Sequence, residues 1–266
     1  MNVRTIVMLI ALGLVVSGVG AEDQEALKIM NESHQAYYYA ADGGHARVSM
    51  VITDKKGRTR EREFWMVRRD VEEMGDQRYY TYFLRPGDVS RTTFLVHKKS
   101  EGNDDRWLYV PALDLVKRIA ANDRGSSFVG SDFSYEDVSG RLPSLDDHVI
   151  LGQEVVFERS ATKVKSTPKD PKTADFTYRI SWIDNETRLP LKEEYYDKKE
   201  RVARVFEARR IEEVDGFPTA VERRMSNVKK GTMTDLLFSE MSYEPMLDPK
   251  DFNERLLKNP PREFTR

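Results

Sequence analysis

The 266-residue chain contains no cysteine. That excludes disulfide staples, thiolate zinc sites and a lipid anchor attached through an N-terminal cysteine. Histidine is scarce as well. His34, His45, His97 and His148 show no HxxxH or similar ligand spacing, so each reads as a surface or edge residue and no metal is expected. The GxSxG elbow, the GxxxxGKS loop and the GxGxxG turn are all missing, and with them the common signatures of hydrolases, P-loop enzymes and dinucleotide-binding folds. No cofactor is expected, and the reading is of a protein that is not an enzyme. An excess of one charge is lacking too: 43 Lys and Arg stand against 45 Asp and Glu. Such a balance argues against nucleic acid or another polyanion as partner.

Long apolar runs are lacking except at the start. Arg4 gives a small basic region, Ile6–Val16 an apolar core, and Val19-Gly20-Ala21 a small-residue end. This is the pattern of a signal peptide over residues 1–21 cleaved after Ala21. The alternative is a short membrane anchor. With the peptide removed, residues 22–266 form a single domain expected to be soluble, monomeric and periplasmic.

What is present is strand pattern. Residues 22–40 carry Leu27, Met30, His34 and Tyr37 at helical spacing, stopped by Asp42-Gly43-Gly44. Beyond them, runs with period-two alternation follow one another through short turns, which implies antiparallel pairing. Phe176, Tyr178, Ile180 and Trp182 form one alternating face, expected to point inward, with Thr177, Arg179 and Ser181 outward. Lys163–Lys172 holds two prolines among Lys, Ser and Thr, the composition of a loop. Asp248-Pro249 opens a last short helix through Lys258. One sheet face should be apolar and the other rich in Lys, Arg and Glu.

The most informative stretch runs from Asp104 to Gly140. Arg106–Val110 and Leu115–Ala120 flank a four-residue connection, a hairpin pattern. After it Phe128, Phe133 and Tyr135 interleave with serines, and Asp132 or Ser134 can cap a helix whose first turn holds Glu136 and Asp137. Ser126, Ser127 and Ser131 have no neighbouring base and read as turn and cap residues. Asp132, Glu136 and Asp137 lack the DxDxDG spacing of a calcium loop.

The runs RWLYVPALDLVKRI and SSFVGSDFSYEDV resemble the outer-membrane lipoprotein-sorting proteins, a branch of the LolA-like carriers, over most of the chain after the leader. The resemblance implies a mainly β fold with a few helices, a curved antiparallel sheet forming an incomplete, half-open β-barrel with helices against its concave face. It also implies a hydrophobic cavity for a lipid or the acyl chains of a lipoprotein, transient membrane contact, and transfer toward an outer-membrane acceptor beside an inner-membrane exporter of the resistance-nodulation-division type. On this reading the lipid-binding residues are Phe64, Met66, Phe94, Val96, Trp107, Tyr109, Phe128, Phe133, Tyr135 and Trp182. Phe128, Phe133 and Tyr135 form either a movable lid, with Trp107 near the mouth, or a permanent plug. The rival function is a structural adaptor of an envelope exporter with a filled core; a lipid-acting enzyme is a further alternative that no motif supports.

Overall fold

Alternating side chains build strands over most of the chain, and the computed structural model, which describes residues 19–73, 75–100, 102–119 and 125–265, arranges them in one sheet. A first meander comprises β1 (Gly43–Thr53), β2 (Thr59–Asp70), β3 (Gln77–Arg85), β4 (Thr93–Lys98), β5 (Asp105–Val110) and β6 (Leu115–Ile119). A second comprises β7 (Asp146–Val156), β8 (Arg159–Pro168), β9 (Tyr178–Asp184), β10 (Pro190–Tyr196), β11 (Val202–Val214), β12 (Phe217–Asn227) and β13 (Thr232–Ser242). Antiparallel pairing of β1 with β13 joins the two, so β6 and β7 are the free edges of a 13-stranded sheet. The sheet is an open, incomplete barrel, as expected.

Helix α1 (Val19–Tyr38) turns Ala26, Ile29, Met30, Ser33 and His34 inward, an i, i+3, i+4 stripe. Ala26, Ile29 and Met30 pack on Val164 and Ile183, which fixes the helix over the β8–β9 end of the concave face. Its last carbonyls find partners across the sheet. Arg68 Nη1 donates to the Tyr38 carbonyl at 2.6 Å, Arg68 Nη2 to those of Ala40 and Ala41, and Gln77 Nε2 to Tyr38 at 2.8 Å. These bonds satisfy groups that a helix end otherwise leaves orphaned. Among the described residues, no helix is long and apolar enough to cross a membrane. The expected leader falls largely on residues 1–18, outside the described residues.

The connection from β6 to β7 must travel from one sheet edge to the other, and it does so across the concave face. Its described part, residues 125–145, contains a 3-10 turn at Phe128–Gly130 and helix α2 (Tyr135–Ser139). Ser134 caps α2 in a capping box: its hydroxyl accepts from the Asp137 amide at 3.1 Å, and the Asp137 carboxylate accepts from the Ser134 amide at 2.7 Å.

Three expectations need correction. The last helix breaks into a 3-10 turn at Pro249–Asp251 and α3 (Glu254–Lys258), because Asn253 caps a fresh start. It does not join the concave side: Phe252, Leu256, Leu257 and Phe264 cover Val67, Tyr80, Tyr82 and Leu95 on the convex face of β2–β4. That outer face is therefore apolar as well, where a charged one was expected. Finally, Lys163–Pro168 is strand, not loop, since Thr162, Val164 and Ser166 are small enough to lie buried beside α1.

Candidate functional site

The concave face is lined from both meanders. Val48, Met50, Phe64, Phe83, Phe94 and Val96 come from β1–β4, and Tyr195, Phe206, Met225, Leu236 and Phe238 from β10–β13; all lie in one apolar cluster. The crossover drops its aromatics into it. Phe128 stands 6.2 Å from Phe64, 5.7 Å from Phe94 and 5.7 Å from Tyr135, and Tyr135 stands 5.0 Å from Phe94, ring centre to ring centre. These are the offset and edge-on separations that aromatic rings favour.

Of the expected lipid-binding residues, Phe64, Phe94, Val96, Phe128, Phe133 and Tyr135 are brought together there, with Met66 packed beside them. Trp107, Tyr109 and Trp182 are not. Trp107 and Tyr109 sit on the convex side with the C-terminal segment, while Leu108 between them packs inward. Trp182 also faces out. Its Nε1 donates to Glu154 at 2.7 Å, and Lys163 and Lys192 lie over its ring at 4.9 and 4.7 Å. The face of β9 that turns inward carries Ser181 and Ile183, with Arg179 beside the interior, so the alternation was read correctly and its direction reversed; Phe176, ahead of the strand, does pack inward.

Sequence reasoning missed the polar belt around the end of α1. Arg179 lies 3.3 Å from Glu193, which also accepts from Ser181 at 2.8 Å and from the Tyr195 hydroxyl at 2.8 Å. Arg204 lies 2.5 Å from Asp137, and Arg141 lies 2.7 Å from Asp146. His34 and His148, read as surface or edge residues, are buried. His34 Nε2 has no hydrogen-bond partner among the described residues, and burial, then Lys98 and Arg179, hold its pKa well below the usual histidine range. Burial also pushes the Tyr37 hydroxyl up to about 12 and brings the Lys98 amine down to about 8. One weak signal was available: Arg179 on β9 and Glu193 on β10 are single charged residues on faces that otherwise carry Ser181, Ile183, Leu191 and Tyr195.

Two cavities flank Tyr37 and Tyr38. The first, of about 50 Å³, is lined by His34, Phe133, Arg179, Glu193 and Tyr195 among others. The second, of about 90 Å³, is lined by Ala46, Met66, Val138, Arg223, Phe238 and Met241 among others. Both are well below the 300–1,000 Å³ typical of a ligand site. The serines of the crossover serve its own backbone: Ser127 Oγ donates to the Ser131 carbonyl at 2.5 Å and Ser131 Oγ to that of Phe133 at 3.3 Å. Among the described residues no three His, Asp or Glu side chains gather as a metal site.

An open barrel whose concave, apolar face is covered by one helix and one aromatic crossover is a LolA-like fold. Residues 75–259 match a family model described as "uncharacterized protein", and the chain belongs to that family. It is similar to a DUF1329 family protein from Desulfovibrio piger, with 27% identity over 89% of this chain and 99% of that one and a TM-score of 0.82. A structure described as an outer membrane lipoprotein-sorting protein domain, from Vibrio parahaemolyticus, is 28% identical over 89% of this chain and 99% of its own, with a TM-score of 0.81. A LolA superfamily protein from Nitrosomonas europaea shares the fold at 15% identity, covering 86% and 98% of the two chains, with a TM-score of 0.66. No curated protein matches the chain.

Proposed function

We propose that the protein is an exported, periplasmic carrier that holds the acyl chains of a lipid or lipid-modified protein against its concave face. It takes them up at one membrane or exporter, crosses the aqueous gap with them buried and releases them to an outer-membrane acceptor. The observation that carries this reading is the aromatic crossover. It lies on the concave face outside the sheet's hydrogen bonding, with Phe128, Phe133 and Tyr135 in the place an acyl chain would take.

The two small cavities do not accommodate such a chain, and a larger one of about 360 Å³ lies along α1, lined by Ala36, Tyr39, Arg188 and Phe217 among others, away from the concave cluster; loading on the concave face therefore requires the crossover to lift. The energies allow the exchange. Each aromatic contributes roughly 1.5–3 kcal/mol by its burial, while a dozen methylenes at about 0.8 kcal/mol each contribute roughly 10 kcal/mol. Val129 adds to the tendency to open: a β-branched residue at φ 50° sits in a region that costs on the order of 1–3 kcal/mol.

A second reading, an adaptor with a permanently filled core, draws support from the near-complete burial of Phe128 and Phe133, 2% and 4% exposed. Hydrogen exchange over residues 125–140, with and without lipid, separates the two. A carrier exchanges fast when empty and slowly when loaded, and protein purified from its own periplasm yields a bound lipid by native mass spectrometry. Slow exchange in both states, with no lipid recovered, decides for the adaptor.

A further inference from the structure

The arginines of the interior fall into two groups. Arg68, Arg141, Arg179 and Arg204 each have a carboxylate within 3.3 Å. Arg62 and Arg223 have none among the described residues. Arg62 Nη1 is buried and has no hydrogen-bond partner among the described residues. Arg223 lies between two rings, 4.6 Å from the centre of Tyr37 and 4.1 Å from that of Phe238, with Nε donating to the Ala220 carbonyl at 2.8 Å. The carboxylates on that side, Asp137 and Glu193, are held by Arg204 and Arg179.

Register ties the two together. Arg62 pairs with Met50, Met50 with Leu236, and Leu236 with Arg223, so the four form one cross-strand row over β2, β1, β13 and β12 on the concave face. The guanidinium-bearing residues end the row, roughly 14 Å apart across three strand spacings, and buried Met50 and Leu236 lie between them. The crossover covers this floor: a Cβ on Gly130 would stand 3.8 Å from Arg62 Nη2, and Val138 lines the cavity that Arg223 also lines. Arg60, exposed two residues before Arg62 on the same side of β2, adds positive charge at the rim. A guanidinium half-buried among apolar groups is costly unless a carboxylate pairs with it directly. Asp88 attracts Arg62 from beyond ion-pair distance, and the side chains between the two arginines in the row are Met50 and Leu236.

We propose that Arg62 and Arg223 each offer a contact for an anionic headgroup, one at either end of this apolar row, so that the cargo is a phosphate-bearing lipid rather than a neutral one. This rests on the carrier reading. Apolar chains lie along Met50, Leu236, Phe64 and Phe238, and a guanidinium fork takes the phosphate oxygens in the bidentate manner that suits arginine.

The test compares two lipids with identical chains, dioleoyl-phosphatidylglycerol and dioleoylglycerol, binding to the full exported chain. The wild type prefers the phosphatidylglycerol by about tenfold or more, the scale of one or two charge-assisted hydrogen bonds. In an Arg62→Gln, Arg223→Gln double variant the ratio of the two affinities falls toward one; in the Arg62→Lys, Arg223→Lys variant part of the preference returns. Glycerol 3-phosphate, offered alone, fails to displace the lipid; displacement at comparable affinity overturns the assignment to a lipid headgroup. Equal binding of the two lipids by the wild type overturns the proposal and leaves the carrier reading standing. Binding of neither overturns the carrier reading itself. The wild-type comparison decides even if a variant does not fold.

Discussion

Asp137, on the crossover helix, is clasped to Arg204, on β11, with Nη1 2.5 Å from the carboxylate and both side chains about one-tenth exposed. The Tyr38 hydroxyl donates to the Asp137 carbonyl at 3.1 Å, so the same residue ties α1 to the crossover. One ion pair thus joins the sheet to the segment that covers it, and a second point, Asp132, is held by Thr232 and Thr234 of β13.

Arg204→Gln removes the clasp while leaving the Ser134–Asp137 capping box intact. Loss of one partner from a buried pair costs about 3–5 kcal/mol when the remaining charge stays buried; here, if the crossover lifts, Asp137 reaches water and the cost stays local. Hydrogen exchange over residues 125–140 therefore accelerates far more than exchange in β1 and β13. Uniform acceleration across the whole sheet would mean that the crossover is an inseparable part of the core.

Trp182→Ala is expected to lower stability by about 3–5 kcal/mol, because the ring is 5% exposed and packs with Ala161 and Leu191. Lipid affinity per folded molecule stays the same, since this ring lies outside the concave interior. Phe94→Ala, by contrast, weakens lipid binding. Unfolding curves and binding isotherms on the two variants check both halves; a loss of lipid affinity in Trp182→Ala places the ligand on the wrong face here.

How far the sequence reached is visible in these same residues. The hairpin of β5 and β6 was legible because alternation and a four-residue turn are local signals. The helix start was legible to within two residues, as Asp132 or Ser134, because a capping residue ahead of an acidic first turn is a local signal too; the structure selects Ser134. The direction of a face was not. Period two says that Trp107 and Tyr109 share a side, not which side is concave, and here both sides are covered. The outer cover comes from Phe252, Leu256, Leu257 and Phe264, more than 140 residues along the chain from Trp107. Lysine stems over Trp182 do the same for β9, hiding an aromatic ring beneath charged residues. The buried ion pairs escaped for a similar reason, since Arg204 and Asp137 meet only through the fold.

Stability should fall as pH drops below neutral. His34 and His148 both titrate below the usual histidine range in the folded protein, chiefly through burial. Above about pH 6.5 both forms of the chain carry neutral imidazoles. Below it the unfolded chain takes up protons that the folded chain refuses, so stability is lost from that point down to the folded-state pKa. The slope approaches about 1.4 kcal/mol per pH unit for each such group. Urea unfolding at pH 7 and pH 5.5 measures it, and His34→Phe, which keeps a ring beside Tyr38 and Tyr39, should flatten it. An identical slope in that variant would assign the effect elsewhere.

The last prediction pins the crossover. Because the chain has no cysteine, an introduced pair forms the one disulfide available. Asp132 and Thr234 suit it: the Asp132 amide donates to Thr234 Oγ1 at 2.9 Å and the Thr234 hydroxyl also faces the Asp132 carboxylate at 2.9 Å. That short path keeps the two Cα atoms within about 7 Å, at the reach of a disulfide, about 4.4–6.8 Å. In the oxidised Asp132→Cys, Thr234→Cys variant the crossover cannot leave β13, and lipid uptake should fall by tenfold or more; reduction should restore it on the same sample. The comparison is internal, so a general loss of folding would depress both states and be recognised. Equal uptake in the oxidised and reduced forms would show that loading does not require this segment to lift, and the acyl chains would then have to enter elsewhere than across the row of Met50 and Leu236.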